Sequence, residues 1–408
     1  MVPNDSSPSP KSASRSALEV FTAFLRLGCS CFGGPTAHFG YFHDDLVLRR
    51  KWISDSSYAG LMSLCQFLPG PSSSQVGFLI GYQHAGIAGA LAAWIGFTAP
   101  SAIIMICSAL FLTSKINSHQ SWIHGIKVAV VAVIAQAIWS MAVRLCPDIR
   151  RTSLAILTAA ATLLFPGTWP QMMILLLVGI IGLFFIPIEA IDETSVLPRV
   201  PSRGLTITCW VVLGLGLILI PLLAISIPDR MLQVFPSFFR VGALAFGGGH
   251  VVLPLLQAEV AIPQGISSDR FLTGYGVAQV IPGPLFSFAA FLGTALPAST
   301  TLMAICTGLV ALCAIFAPGL LIGLGSVRLF HAVRANPRAQ RIIAGLNAGV
   351  VGLLLAAFYD PVFTSAILTR SDFACALLAV GALIVFRLSS VLVVMGCTLL
   401  VFSWSLVA

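Results

Sequence analysis

The chain has 408 residues, 58% hydrophobic and 9% charged, with a formal net charge of +8. An ordinary soluble domain carries roughly 25% charged residues, so no soluble core of this length hides so much apolar surface, whereas a bilayer solvates it directly. The 22 Lys+Arg against 14 Asp+Glu sit mainly in short loops between apolar stretches, as cytoplasmic loops do, and no basic run with interleaved aromatics points to nucleic acid.

In chain order, residues 1–17 are polar and Ser/Pro-rich, lack the apolar core of a signal peptide, and read as a disordered cytoplasmic tail. Apolar stretches at 18–40, 56–82, 85–113, 121–145, 152–166 and 168–187 then make a first unit, 18–187. A linker, 188–230, carries one transmembrane helix at 204–227. Stretches at 233–257, 269–296, 299–327, 340–359, 371–387 and 389–407 make a second unit, 231–408. A membrane crossing needs roughly 20 apolar residues, so the pattern predicts an all-α integral membrane protein with about 13 hydrophobic segments. Most of the ten cysteines lie inside these stretches and read as small apolar side chains. The close pair Cys29 and Cys31 lacks companions at metal-ligand spacing, so no disulfide framework, metal or cofactor is expected.

The two units repeat one another. Arg26, Gly28, Phe32 and Gly33-Gly34 recur at identical spacing as Arg240, Gly242, Phe246 and Gly247-Gly248. Gln66-Phe-Leu-Pro69-Gly70-Pro71 matches Gln279-Val-Ile-Pro282-Gly283-Pro284. Ala99-Pro100 matches Ala317-Pro318, and Gly125 with Val130-Val131 matches Gly345 with Val350-Val351. Conserved order and spacing imply duplication of one unit. The single extra crossing at 204–227 would turn the second unit upside down, giving inverted-topology repeats of the secondary-transporter kind. Loop charges agree: 328–341 carries four arginines where 114–120 holds only Lys115, and 144–151 carries three where 360–370 holds only Arg370. Arg49, Arg50 and Lys51 stay inside only if 18–40 and 56–82 are re-entrant hairpins.

Pro69-Gly70-Pro71 and Pro282-Gly283-Pro284 should each end one half-helix and begin another. Such a break at membrane depth is tolerated only in protein or a watery cavity, and the new helix N-terminus offers N–H groups to an anion. Ser72, Ser73, Ser74 and Gln75 add donors after the first break; Ser287 is the poorer equivalent after the second. A plain packing kink is the alternative, weakened by the duplication. Arg26, Arg240 and Lys127 lie inside apolar segments, where a charge costs at least about 2.5 kcal/mol, unless the arginines snorkel to the interface. Guanidinium suits an oxyanion; the repeat mate of Lys127 is the neutral Asn347. Asp44, Asp45, Glu259, Asp269 and Asp360 all read as segment ends or loops, leaving only positive charge at depth and implying an anionic substrate. Gly33, Gly34, Gly247 and Gly248 allow close backbone approach, with helix packing the favoured use. His38 and His250 follow these clusters and are candidates for the pathway.

The F-x-R-x-G-x-x-x-F-G-G element, Arg50-Lys51-Trp52-Ile53 and Gln66-x-x-Pro69-Gly70-Pro71 together resemble the chromate ion transporter family, in its long-chain two-domain form, over roughly 18–408. The resemblance implies a multi-pass carrier of the cytoplasmic (inner) membrane that exports chromate, confers chromate resistance and meets sulfate as a competing dianion. It also implies that Arg26, Gly33, Gly34, Gln66, Pro69, Gly70, Pro71 and their mates in the second unit form the site. Sulfate uptake and an anion channel are the alternative readings. No Gly-x-x-x-x-Gly-Lys-Ser/Thr loop suggests ATP use, and no constellation of buried acids, bases or metal ligands suggests an enzyme. The sequence leaves the oligomeric state open, a homodimer among the options.

Overall fold

The computed structural model describes residues 15–115, 121–187, 200–227, 229–246, 249–329 and 336–407, and among them only helices and their connections occur. Ser72–Leu112, Trp122–Leu145, Arg203–Ser226, Thr301–Ser326 and Pro337–Ala366 are long and apolar enough to cross a membrane, and shorter apolar helices accompany them. This is the helix inventory of a multi-pass membrane protein. Gly247, Gly248, most of the N-terminal tail and linker residues 188–199 lie outside the described residues.

Four of the apolar stretches are not single helices. α1 (Ala17–Ser30) starts at Ser16, whose side chain accepts from the Glu19 N–H, and stops at Cys31. The chain then turns through Gly33 and Gly34 at φ 93° and 77°, values that cost an L side chain dearly. It continues as α2 (Gly34–Phe42), drawn out by the π-helical turn His43–Arg49. A Cβ built on Gly34 meets nothing within 4 Å. The favoured reading of this pair as a helix-packing surface is therefore corrected: the glycines are there to make a turn.

α3 (Asp55–Phe67), capped by Ser54, ends at Leu68. Pro69-Gly70-Pro71 follows, with Gly70 at φ 115°, and α4 (Ser72–Lys115) begins. The helical geometry of α4 is itself interrupted at Ala85 and Gly86. The short arm before this break folds against the long arm after it, with Gly81 and Gly89 in backbone contact. α5 (Ser121–Leu145), α6 (Ile149–Leu164), α7 (Thr168–Phe185) and α8 (Arg203–Ser226) follow.

The later stretches break in the same places. α9 (Arg230–Leu244), capped by Asp229, ends at Ala245. α10 (Val252–Leu256) runs on into the π-helical turn Gln257–Ala261. α11 (Ser268–Val280), capped by Ser267, leads to Pro282-Gly283-Pro284, with Gly283 at φ 101°. After a 3-10 turn at Leu285–Ser287 come α12 (Phe288–Ala295) and α13 (Thr301–Ser326), packed on each other. α14 (Pro337–Ala357), α15 (Arg370–Ile384) and α16 (Ser390–Val407) complete the chain. At about 1.5 Å rise per residue, the 14, 13, 15 and 13 residues of α1, α3, α9 and α11 reach only about 20 Å of a ~30 Å hydrocarbon core.

α1 packs along α4 and α9 along α13. Gly28 permits the first approach, since a Cβ there would lie 2.7 Å from the Phe97 carbonyl oxygen. The breaks are tied crosswise. Gly70 N–H donates to the carbonyl of Ala245, where α9 stops, and Gly283 N–H to that of Cys31, where α1 stops, both at 2.8 Å. Cys31 and Ala245 each stand three residues after the motif glycines Gly28 and Gly242. Backbone freed by the prolines is thus satisfied inside protein, as a non-helical stretch at this depth requires.

A cavity at the meeting point of the broken helices

The four breaks surround a cavity of about 420 Å³, roomy for a small ion with waters, each water taking about 30 Å³ of liquid volume. Of the residues the sequence singled out, Gly33, Gly34, Gln66, Gly70, Ser72, Gln279 and Gly283 line it. Both breaks and both glutamines that precede them therefore meet at one place. Ser73 lies behind the wall, its Oγ 3.2 Å from Nδ1 of the buried His38. Ser287 is fully buried and is not a lining residue. Pro69, Pro71, Pro282 and Pro284 shape the breaks without facing the cavity.

The donors are set by local structure. The first helical hydrogen bond of α4 runs from Gln75 N–H to Pro71 carbonyl at 2.9 Å, leaving the N–H groups of Ser72, Ser73 and Ser74 ahead of the ladder. The Gln75 side chain pins the break, donating to the carbonyls of Pro69 (2.8 Å) and Gly319 (2.7 Å). Gln279 Nε2 is buried and has no hydrogen-bond partner among the described residues. His250 also lines the cavity, its Nδ1 2.8 Å from the hydroxyl of the buried Tyr275.

The cations are placed differently from the sequence expectation. Arg240 is bound to Glu259, Nη2 to Oε2 at 2.8 Å and Nε to the same oxygen at 3.2 Å. Lys127 Nζ donates to Asp269 Oδ1 at 2.8 Å and to the Ser365 carbonyl at 3.2 Å. Arg26 is exposed on α1 and makes no ion pair among the described residues. None of the three lines the cavity.

The expectation that only positive charge is buried is therefore corrected, although the acids concerned do stand at the ends of their apolar runs. Glu259 and Asp45 are both buried, and Asp45 is held by Arg50 Nε at 2.7 Å and by Arg49. Each sits at the end of an apolar run that folds back into the protein, so its place in the sequence hid its burial. A signal was present: Asp45 follows Arg26, and Glu259 follows Arg240, by the same nineteen residues.

Sequence reading also missed α5, which contributes Gln136, Ser140 and Arg144 to the lining. By sequence Arg144 reads only as a loop charge. Among the described residues the lining holds amide, hydroxyl and guanidinium donors and no carboxylate, a set that favours an anion.

Comparison with known proteins agrees in scale. The family profile described as "Chromate transporter" matches residues 18–183 and 232–402. An uncharacterised transporter of Methanocaldococcus jannaschii is 27% identical over 349 residues, 84% of this chain and 83% of the relative. A protein named as a probable chromate transport protein in Synechococcus elongatus is 28% identical over 352 residues, 82% of this chain and 81% of the relative. The chromate transport protein of Pseudomonas aeruginosa is 25% identical over 346 residues, covering 84% and 80%. No solved structure matches the chain. With its multi-pass helices and with both motif-bearing stretches inside the match, the chain belongs to the chromate transporter family.

Proposed function

We propose that this protein is a secondary transporter that exports chromate across the cytoplasmic membrane and thereby confers chromate resistance. The observation that carries the reading is the cavity where both Pro-Gly-Pro breaks meet, lined by donors and one cation and by no carboxylate among the described residues. Gln66, Ser72, Gln279 and the backbone at Gly33, Gly34, Gly70 and Gly283 hold the anion, in the manner of broken helices at a repeat interface. Units 18–187 and 231–408 act as inverted repeats, with 18–40 and 56–82 entering and leaving on the cytoplasmic side. The crosswise bonds of Gly70 and Gly283 support a two-fold relation between the units. Rocking of one unit against the other alternates access to the site. Arg240 and Lys127, each neutralised by an acid, position helices rather than bind the anion.

Sulfate, a tetrahedral dianion like chromate, is the competing substrate. The deciding experiment is uptake of labelled chromate and labelled sulfate into liposomes holding the purified protein. Saturable chromate transport, inhibited by sulfate and reduced by Gln66→Ala and Gln279→Ala, is expected. Non-saturating flux would make the protein a channel, sulfate transport without chromate transport would make it a sulfate carrier, and parental rates in both variants would remove these glutamines from the site.

A further inference from the structure

We infer that the anion reaches the cavity along one face of α5, on which Gln136, Ser140 and Arg144 form an entry ladder, and that Arg144 is the residue that selects by charge. This rests on the oxyanion-transport reading and gives a role to the one cation of its lining.

The three positions are spaced i, i+4 and i+8, so they share one helical face, and all three line the cavity. Eight residues at about 1.5 Å each make a track of roughly 12 Å, from the half-buried Gln136 to the exposed Arg144 in the last turn of the helix. Among the described residues Arg144 is the only Lys or Arg in the lining, and it has no ion pair there. The nearest acid in sequence, Asp148, is engaged elsewhere: Oδ2 pairs with Arg151 Nε at 3.1 Å, and Oδ1 accepts from the N–H groups of Arg150 and Arg151. The end of a helix is its negative pole, so without Arg144 this mouth would repel an anion. Ser140 donates back to the Ala137 carbonyl at 2.9 Å, and rotation about one bond turns its hydroxyl toward a passing ligand.

The ladder belongs to one stretch of the chain only. At the constant spacing that maps Gly125 onto Gly345, Gln136, Ser140 and Arg144 correspond to Ala356, Asp360 and Thr364. None of these lines the cavity, and one is an acid. Charge selection at the cavity is therefore single and asymmetric, unlike the paired breaks and glutamines.

The test compares the parental protein with Arg144→Ala, Arg144→Gln and Arg144→Lys in liposomes, measuring half-saturation for chromate at low and high salt. Loss of one charge-assisted contact to a dianion predicts a rise in half-saturating concentration of about 10- to 100-fold in the Ala and Gln variants. The Lys variant recovers most of the affinity. Raising ionic strength weakens the parental protein more than the neutral variants, and the neutral variants lose the preference for sulfate over a monovalent oxyanion as competitor. Gln136→Ala and Ser140→Ala raise half-saturation by smaller factors, about two- to fivefold. Arg144→Gln, close in length and polarity, serves if the Ala variant fails to fold. Parental half-saturation, salt response and anion preference in a folded neutral variant would overturn the inference while leaving the transport reading standing. Absence of transport by the parental protein would instead overturn that reading.

Discussion

The first helix of each motif-bearing stretch carries the same arginine, and the two arginines end differently. Arg240 on α9 reaches back to Glu259, and α8 packs against α9. Arg26 on α1 stands exposed, because Asp45, at the place of Glu259, is taken by Arg49 and Arg50. The reason is local competition. Three cations, Arg49, Arg50 and Lys51, follow Asp45 closely, whereas Glu259 is followed by Ile262, Pro263 and Gln264, which offer no rival charge. A nearby partner loses less chain freedom than one nineteen residues away. Repetition of a residue therefore does not repeat its role. The role depends on which neighbours compete for its partner.

The sharpest way to break the symmetry of the two stretches is at the glycines of the breaks. An alanine at either position is strained by its positive φ. At Gly70 the added Cβ would also sit 2.7 Å from the Cα of Gly319, whereas at Gly283 it would meet a side chain, Ser101, with Oγ at 2.9 Å and Cβ at 3.1 Å, rather than backbone. Gly70→Ala should cost about 3–5 kcal/mol and Gly283→Ala about 1–3. The thermal unfolding midpoint in detergent should fall further for Gly70→Ala, and equal shifts would show that the two breaks are equally confined.

Removing one member of an ion pair comes next. Glu259→Gln leaves Arg240 without its partner and should destabilise by about 3 kcal/mol, the low end for a buried pair because the Arg240 side chain stays 33% exposed. The double variant Arg240→Met/Glu259→Leu should recover most of that loss. Asp45→Asn should cost about 2 kcal/mol, between the surface and buried values, since one partner, Arg49, is 66% exposed while the other, Arg50, is 21% exposed. Denaturant midpoints of the three variants check the order, and a larger loss for Asp45→Asn would refute the competition argument. The smallest effect is reserved for Arg26→Ala. Stability should stay within about 0.5 kcal/mol of the parental value, and chromate uptake should be unchanged. A strong loss of transport there would return Arg26 to the pathway.

Much of the architecture was legible before any contact was known. The all-helical, apolar character and the two Pro-Gly-Pro breaks appear where composition and backbone restriction put them. The additional break at Cys31–Gly34 lies in the first Gly-Gly motif, which by sequence reads more readily as a packing surface. Half of the cavity was legible too, through the paired glutamines and glycines. The contribution of α5 was not, since a regular helix with a polar residue every fourth position looks like any other crossing until its neighbours are known.

By itself, then, the sequence determined the membrane class, the helical content and the sites where helices must stop, because apolar transfer and allowed φ/ψ are properties of each residue and its immediate neighbours. Only the tertiary structure decided which cations are free and what the cavity offers a ligand. Those depend on pairings between residues 142 apart, as in Lys127 with Asp269, or 244 apart, as in Gln75 with Gly319. Electrostatic pairing falls with distance in space and takes no account of distance along the chain.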